Sequence, residues 1–474
     1  MYLARWREPL LLCVVAAILG LGYWVVWQAY MPAWLLLYHG QLWRFFAPWV
    51  LFTLGGFLTS MALSARRCRE TLMLPIVALL VGLGLLFLQR LAGGAATLAM
   101  QQGVDIAHLT SMHGHVPPIA SIAKLLISSS HKQILSASLA WLVLVGIILY
   151  WHNLSVLSRY KYLIAFTALG LLLVTTIFGH AVGHQQLALN LGFVTFQPHD
   201  PVKLLLVIFM AAYLEEKQEL ISFARGRFGF LTMKDFRYMG PLITLWVVIM
   251  AIVFIHNDLG AALLLFGTLL VMLYLGTERK VYVGIGLGLF ILGALAAFAV
   301  SHRVQTRVAI WENPWKYADD ESYQIVQGLM ALGNGRLIGA GLAGGSPERI
   351  PAIHTDLIYV AIGEDLGLVG AVCVILLFLI LIGRTVVIAL RARDRFGQLL
   401  AAGLGLTLAG QTWIILAGVT KLIPLTGITL PFISYGGTSM MVNLILVGLV
   451  LKTAEDQTPA VSDREMTALH KSSL

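Results

Sequence analysis

Residues 313–365 read NPWKYADDESYQIVQGLMALGNGRLIGAGLAGGSPERIPAIHTDLIYVAIGED and join two long apolar runs. The stretch carries charged residues, glycines and hydrogen-bonding side chains that the neighbouring sequence lacks. This contrast indicates a polar loop that an apolar scaffold holds at one surface. We therefore expect the chemistry of the protein to take place in this loop.

The composition of the chain is typical of a membrane protein. Hydrophobic residues make up 59% of it and charged residues 12%, and the mean hydropathy is +0.84. A soluble domain would be about a quarter charged. The formal net charge of +9 falls largely on short loops between apolar runs, where it sets membrane orientation. We therefore expect no binding of nucleic acid.

Apolar runs of membrane-spanning or nearly membrane-spanning length recur along the whole chain. They are Leu10–Gln28, Phe45–Ala65, Leu72–Gln89, Ile134–Trp151, Leu163–Gly179, Pro201–Leu214, Pro241–Ile255, Leu259–Thr277, Val281–Ser301, Leu357–Gly383, Leu399–Thr420 and Pro431–Leu451. The first run lacks a small-residue cleavage site, so we expect a retained helix rather than a signal peptide. The pattern predicts an all-α polytopic membrane protein with about 10–12 transmembrane helices and a large extracytoplasmic loop before the last three.

The basic residues of short loops predict the orientation, because such loops stay on the cytoplasmic side. With both termini in the cytoplasm, two long segments lie outside. We therefore predict N-terminal transmembrane helices over residues 1–160 with an outer segment at 90–133. A transmembrane core over 161–452 follows, with an outer catalytic loop at 301–356, and residues 453–474 form a cytoplasmic tail.

Several charged residues lie within or beside the apolar runs, where an ionisable group is costly. Asp200 and Lys203 stand three residues apart on one helical face, so they form either a mutual ion pair or part of the lining of a substrate cleft. Asp258 precedes another run and is expected to cap its helix. Glu364 and Asp365 lie deeper than exposed carboxylates would, which indicates a polar cavity or a basic partner.

The outer loop contains the residue types best suited to chemistry. Arg303 and Arg307 are one helical turn apart, so both can face one anionic group, and their planar forks suit a diphosphate. The acidic cluster Asp319, Asp320 and Glu321 either supplies a general base or forms only a solvated turn. His354 and Asp356 begin a span and are suited to capping it. No further His or Cys stands at ligand spacing, so we expect no transition-metal site.

Motifs along the second half of the chain resemble those of the SEDS family, the polytopic cell-wall polymerases of the RodA, FtsW and SpoVE type. In chain order, the motifs are Phe196-Gln197-Pro198 continuing to Lys203, Asp258-Leu259-Gly260, Asn313-Pro314-Trp315 with Tyr323-Gln324, Pro351 with His354-Thr355-Asp356, Gly363-Glu364-Asp365-Leu366-Gly367, and Leu430-Pro431-Phe432-Ile433-Ser434-Tyr435-Gly436-Gly437. The resemblance covers about Leu163 to Leu451.

This resemblance implies a peptidoglycan glycosyltransferase that polymerises lipid II at the outer face of the bacterial cytoplasmic (inner) membrane, in cell elongation or division. The implied partners are lipid II, membrane lipid and a single-pass class B penicillin-binding protein. In the family, an essential aspartate lies between the Pro-Trp and Tyr-Gln pairs of the outer loop. An ungapped alignment places Tyr317 there, so the nearest carboxylates, Asp319 and then Asp320, are the implied catalytic residues.

The other implied site residues would bind substrate. They are Arg303, Arg307, Lys203, Asp200, His354, Asp356, Glu364 and Ser434. Arginine, lysine or a bound divalent cation (Mg²⁺ or Mn²⁺) would stabilise the departing diphosphate, and the sequence indicates no other cofactor.

Two further interpretations stay open. A non-catalytic member of the family would act as a membrane scaffold that regulates the cell-wall machinery, and the displaced aspartate favours this alternative. A flippase for lipid-linked precursors is a third interpretation, because polytopic bundles with intramembrane charge often move substrates. No paired discontinuous spans mark an inverted repeat in the sequence, which ranks the flippase last.

Overall fold

The computed structural model of this chain describes residues 2–66, 68, 70–106, 118–178, 180–182, 185–190, 195–223, 233–256 and 258–456. The helices within these ranges are α1 (Tyr2–Ala29), α2 (Met31–Leu37), α3 (Leu42–Ala65), α4 (Met73–Gln101), α5 (Pro118–Tyr150), α6 (Ser155–Arg159), α7 (Lys161–Phe178), α8 (His199–Phe223), α9 (Met233–Ile255), α10 (Leu259–Thr277), α11 (Lys280–Val300), α12 (His302–Glu312), α13 (Tyr323–Gly335), α14 (Ile358–Arg391), α15 (Arg395–Val419) and α16 (Gly437–Asp456). Three short strands, β1 (His180–Val182), β2 (Gln185–Asn190) and β3 (Thr195–Phe196), pair antiparallel in the order β1-β2-β3.

The structure confirms the prediction of a helical, multi-pass membrane protein. Within the described ranges, 10 helices are long and apolar enough to cross a membrane, and residues Gly240–Ile255 of α9 form a shorter apolar helix. Each of the predicted apolar runs falls wholly or largely within one helix. The apolar runs form helices because a chain surrounded by lipid must satisfy its backbone hydrogen bonds internally.

Helix α4 is among the most buried helices of the bundle. In the apolar stretch of α4, 83% of the residues are buried, whereas in that of α11 only 6% are. Small residues let neighbouring segments approach α4 closely. A Cβ atom on Gly84 would lie 2.6 Å from the carbonyl oxygen of Ile433, so α4 packs directly against the backbone of the Leu430–Gly437 motif. Helix α4 therefore connects the N-terminal helices with the motif-bearing segments.

The predicted outer segment 90–133 is largely helical. Helix α4 continues to Gln101 and α5 begins at Pro118, and residues 107–117 between them lie outside the described ranges. The sequence placed the end of the span at Gln89 because a charged residue, Arg90, follows it. In the structure the helix continues through this position, and Arg90 is fully buried within α4.

The outer loop between α11 and α14 has regular structure of its own. Helices α12 and α13 are separated by a 3-10 helix at Pro314–Tyr317, and a second 3-10 helix spans Pro347–Arg349. Helix α14 breaks at Gly367, whose φ of 68° lies in the left-handed region. Glycine adopts this conformation without the steric penalty that a side chain brings. The break separates the start of α14, which contacts the loop, from its membrane-spanning part.

Candidate functional site

Arg90 is the centre of a buried ionic group that joins α4 to the outer loop and to α14. Its Nε and one terminal nitrogen donate to the two carboxylate oxygens of Asp365, at 2.6 and 3.1 Å. The other terminal nitrogen donates to Glu348 at 2.5 Å, and the carbonyl of Gly345 accepts a further bond at 2.7 Å. Arg90, Glu348 and Asp365 are 0%, 5% and 0% exposed. We call these three residues the Arg90 cluster.

Residues 333–345 form the glycine-rich segment of the outer loop. Backbone hydrogen bonds join this segment to the start of α14. The backbone amides of Ala340 and Gly341 donate to the carbonyls of Glu364 and Asp365, at 2.9 and 3.1 Å. Gly339 has a φ of +93°, and a Cβ atom there would lie 2.2 Å from the carbonyl oxygen of Asp365. Only glycine fits this contact, so the loop depends on a specific residue for its approach to α14.

The sequence predicted a polar cavity or a basic partner for Glu364 and Asp365, and the structure identifies Arg90 as the basic partner of Asp365. One oxygen of Glu364 accepts a long bond from the Ser346 amide at 3.5 Å. Its other oxygen is buried and has no hydrogen-bond partner among the described residues. Sequence reasoning missed Arg90 and Glu348. The available signal was the arginine inside an otherwise apolar stretch, which requires a buried counter-charge.

A second buried ionic group lies where α8, α10 and α15 meet. Lys203 donates to Asp200 at 2.8 Å and to the side-chain oxygen of Gln411 at 2.7 Å, which confirms the predicted ion pair. Imidazole nitrogens of His199 lie 3.9 Å from Asp200 and 3.7 Å from Asp258. Asp258 also caps α10 by accepting from the amide of Ala261 at 2.9 Å, as the sequence predicted. We call His199, Asp200, Lys203, Asp258 and Gln411 the Lys203 cluster.

The Lys203 cluster has unsatisfied atoms and faces a small cavity. His199, Asp200, Lys203 and Gln411 contribute to the cavity wall. One carboxylate oxygen of Asp200 and Nδ1 of His199 are buried without a hydrogen-bond partner among the described residues. Buried polar atoms are costly when unpaired, so these atoms are suited to receive a polar ligand or water. The structure therefore shows the ion pair, while the role of Asp200 and Lys203 in lining a substrate cleft stays a prediction.

The two arginines of the outer loop lie on α12, one turn apart, as the sequence predicted. A terminal nitrogen of Arg307 donates to the carbonyl of Thr426 at 3.3 Å. Burial lowers the pKa of Arg307, an effect that the charges of Asp258 and Asp356 oppose and that of Arg303 reinforces. The charge of Asp258, a member of the Lys203 cluster, therefore acts on Arg307 in the outer loop.

Asp356 and His354 are affected by burial in opposite ways. Burial raises the pKa of Asp356 to about 6, despite the opposing effects of a hydrogen bond from Thr355 and the positive charge of Arg307. Burial lowers the pKa of His354 to about 4. At neutral pH the pair therefore combines an ionised carboxylate, which retains a proton more readily than usual, with a neutral imidazole.

Ser434 connects the two motifs that flank α14 and α15. Its hydroxyl donates to the carbonyl of Thr355 at 2.5 Å, and the backbone amide of Tyr435 donates to the carbonyl of His354 at 2.8 Å. The side-chain amide of Gln133, on α5, donates to the carbonyl of Ser434 at 3.4 Å. These bonds make Ser434 a support of the His354 segment, which adds a structural role to the predicted role in substrate binding.

The predicted catalytic carboxylates are exposed, in contrast to the two buried clusters. Asp319 and Asp320 are exposed in the turn between the 3-10 helix and α13, and the structure shows neither in an ion pair with a described residue. Tyr317, which an ungapped alignment places at the family aspartate, is half-buried beneath the ammonium group of Lys316. The role of Asp319 or Asp320 as general base therefore stays a prediction.

The described residues also bear on metal binding. No group of three or more His, Cys, Asp or Glu side chains among them could hold a metal ion.

Known proteins resemble this chain in sequence and fold. The FtsW/RodA/SpoVE family of cell cycle proteins matches residues 118–458. The chain is 36% identical over 415 residues to the peptidoglycan glycosyltransferase RodA of Mycobacterium tuberculosis, an alignment that covers 85% of this chain and 83% of the relative. A chain of a peptidoglycan synthase complex, described for its structural coordination of polymerization and crosslinking, has the same fold with a TM-score of 0.60 at 23% identity, covering 82% of this chain and 98% of that chain. The rod shape determining protein RodA of Thermus thermophilus gives a TM-score of 0.52 at 23% identity, with 81% and 96% covered.

Proposed function

The chain belongs to the FtsW/RodA/SpoVE family, and on this premise we propose that it is a peptidoglycan glycosyltransferase that polymerises lipid II into glycan strands. It acts at the outer face of the bacterial cytoplasmic membrane, with both termini in the cytoplasm, during elongation or division. A class B penicillin-binding protein is its partner. The observation that carries the proposal is the Lys203 cluster, which places unsatisfied polar atoms at a cavity inside the family-matched region.

The reaction requires a proton acceptor and cations. The acceptor 4-hydroxyl attacks the anomeric carbon of the donor, the bond from that carbon to the diphosphate breaks, and the hydroxyl proton passes to a carboxylate. Arg307 with Arg303 on α12, and Lys203 at the cavity, are suited to stabilise the negative charge on the diphosphate. Asp319, or else Asp320, accepts the proton after the exposed turn moves toward the bound acceptor.

A polymerisation assay tests this function. Purified protein is mixed with fluorescent lipid II and the partner, whose own transferase activity is absent, and the products are separated on a gel. We expect polymer from the wild type and a loss of about 10²–10⁴-fold in Asp319→Asn or Asp320→Asn, the usual contribution of a general base. Glu312→Gln alters an exposed carboxylate at the end of α12, outside the acidic cluster, and should leave the rate unchanged. Equal rates in both aspartate variants and the wild type would remove them from the reaction.

The scaffold alternative rests on the exposed positions of Asp319 and Asp320 and on Tyr317. If folded protein yields no polymer with the partner, with or without added Mg²⁺ or Mn²⁺, the scaffold becomes the better interpretation. Loss of polymer on chelation, with recovery on adding one of these ions, would support the predicted cation. A flippase would transfer lipid II across vesicles without lengthening glycan.

A further inference from the structure

Arg90 lies outside the family-matched region, yet it bonds directly to the outer loop. It bonds to one residue at the end of the glycine-rich segment, Gly345, one in the following 3-10 helix, Glu348, and one at the start of α14, Asp365. The matched region begins at residue 118, after α4 has ended. Helix α4, which binds the outer loop through Arg90, is therefore not part of the matched family region.

Two aromatic residues of the N-terminal segment, Tyr30 and Trp34, pack beside the Arg90 cluster. A Cβ atom on Gly93 would lie 2.7 Å from both Tyr30 and Trp34, so these aromatic rings pack directly against the backbone of α4. The hydroxyl of Tyr30 lies 3.5 Å from the carbonyl oxygen of Ala343, in the glycine-rich segment. Trp34 is 1% exposed. With water excluded, the hydrogen bonds of Arg90 to carboxylates are stronger than exposed ones would be.

The position of the glycine-rich segment matters because the chain continues from it directly to His354 and Asp356. Asp365 also accepts a bond from the amide of Ala343 at 3.3 Å, so Arg90 fixes the segment through the backbone as well as through side chains. A displacement of about 1 Å at reacting groups can cost about a hundredfold in rate. Loose anchoring of the segment would misplace these residues without removing any of them.

We propose that Arg90 is a positioning residue for the glycosyl transfer, that it fixes the glycine-rich part of the outer loop, and that the N-terminal helices α1–α3 keep its ion pairs dry. This inference rests on the proposed function. It assigns to α1–α4 the role of an internal support for the outer loop, in addition to their role in crossing the membrane.

The test must separate positioning from stability. Replacing a buried ionic triad by apolar residues of similar volume is often neutral or stabilising, whereas removing one partner is destabilising. The triple variant Arg90→Met/Glu348→Met/Asp365→Leu should therefore unfold at a temperature near that of the wild type. We expect its turnover to fall at least tenfold, and the amides of Ala340 and Gly341 to exchange hydrogen at least tenfold faster.

The matched control lies at the opposite end of the same two helices. Glu70, just before α4, forms a bidentate pair with Arg384 on the membrane-spanning part of α14. The variant Glu70→Met/Arg384→Met removes this pair and should leave the exchange of the loop amides and the turnover within twofold of the wild type. If it slows the reaction as much as the triple variant does, Arg90 has only a general structural role.

Each remaining result decides the question. Wild-type turnover and loop protection in a stable triple variant would overturn the proposal. If the triple variant fails to fold, Arg90→Lys retains the charge but loses the bidentate geometry, and wild-type loop exchange in that variant would equally overturn it. Hydrogen exchange needs no activity, so an inactive wild type would count against the proposed function while the loop measurement still tested Arg90.

Discussion

The Arg90 cluster and the Lys203 cluster are both largely buried and both contain two carboxylates beside an arginine or a lysine, but they differ in how completely their polar atoms are hydrogen-bonded. All three guanidinium nitrogens of Arg90 donate, and both oxygens of Asp365 accept. In the Lys203 cluster, an oxygen of Asp200 and Nδ1 of His199 have no partner among the described residues. A closed network specifies structure, whereas an incomplete one beside a cavity is suited to a ligand. The difference separates a support from a candidate binding site.

The largest effect should come from breaking the closed cluster. Asp365→Ala leaves Arg90 buried with one carboxylate partner fewer, and such a removal costs about 3–5 kcal/mol of folding free energy. Thermal unfolding in detergent or nanodiscs measures the loss. The contrast between the clusters would be wrong if this variant were as stable as the wild type.

A smaller stability loss and a larger functional loss should follow in the incomplete cluster. Asp200→Asn retains the shape of the side chain, and Lys203 keeps its bond to Gln411. We expect a cost of about 1–3 kcal/mol. Polymer formation should fall more than tenfold, because the cavity loses a charged lining group. Unfolding and the gel assay are compared on one preparation, and normal polymerisation by a stable variant would contradict the cavity assignment.

Two helix caps sharpen the comparison. Asp258 accepts from Ala261 at the start of α10, and Asp394 accepts from Gly397 at the start of α15, at 3.1 Å. Replacing either by Ala should cost about 1 kcal/mol of stability. Only Asp258 also faces His199, so only Asp258→Ala should slow polymerisation. Equal activity in the two variants would reduce Asp258 to a cap.

The smallest net effect concerns pH. Because the pKa of Asp356 is raised to about 6, the folded state binds the extra proton between about pH 4 and 6, and stability falls as pH rises through that interval. Because the pKa of His354 is lowered to about 4, the unfolded state binds the extra proton between about pH 4 and 6.5, and stability rises with pH. The two contributions oppose each other in the wild type.

Single variants should separate the pH dependence of stability that Asp356 contributes from the one that His354 contributes. Relative to the wild type, the unfolding temperature of Asp356→Asn should rise with pH between about 4 and 6, and that of His354→Gln should fall. Parallel curves for all three proteins would show that neither group changes its proton affinity on folding.

Much of this arrangement was predictable from local sequence. The apolar runs gave the helices, the three-residue spacing of Asp200 and Lys203 gave an ion pair, and the position of Asp258 gave a cap. Each of these depends on contacts within a single turn or on overall hydropathy. The cavity, in contrast, forms where α8, α10 and α15 converge, and local periodicity carries no information about which helices meet.

Arg90 shows most clearly where sequence reasoning stops. Its partners lie 258 and 275 residues further along the chain. Read locally, an arginine after an apolar run marks the end of a span, and the same residue inside a bundle requires counter-charges that only the fold supplies. The neighbouring sequence also gave no indication that Glu348 would be buried or that the carbonyl of Gly345 would bond to Arg90.

The separation between Arg90 and Asp365 also has a consequence for biosynthesis. The ribosome adds Arg90 275 residues before it adds Asp365, on the order of tens of seconds earlier at typical elongation rates. During that interval the nascent helix carries an arginine whose insertion costs about 2.5–3.5 kcal/mol, with neither acidic partner yet made. We therefore expect α4 to be held by the insertion machinery, or by α1 and α3, until Glu348 and Asp365 have been made.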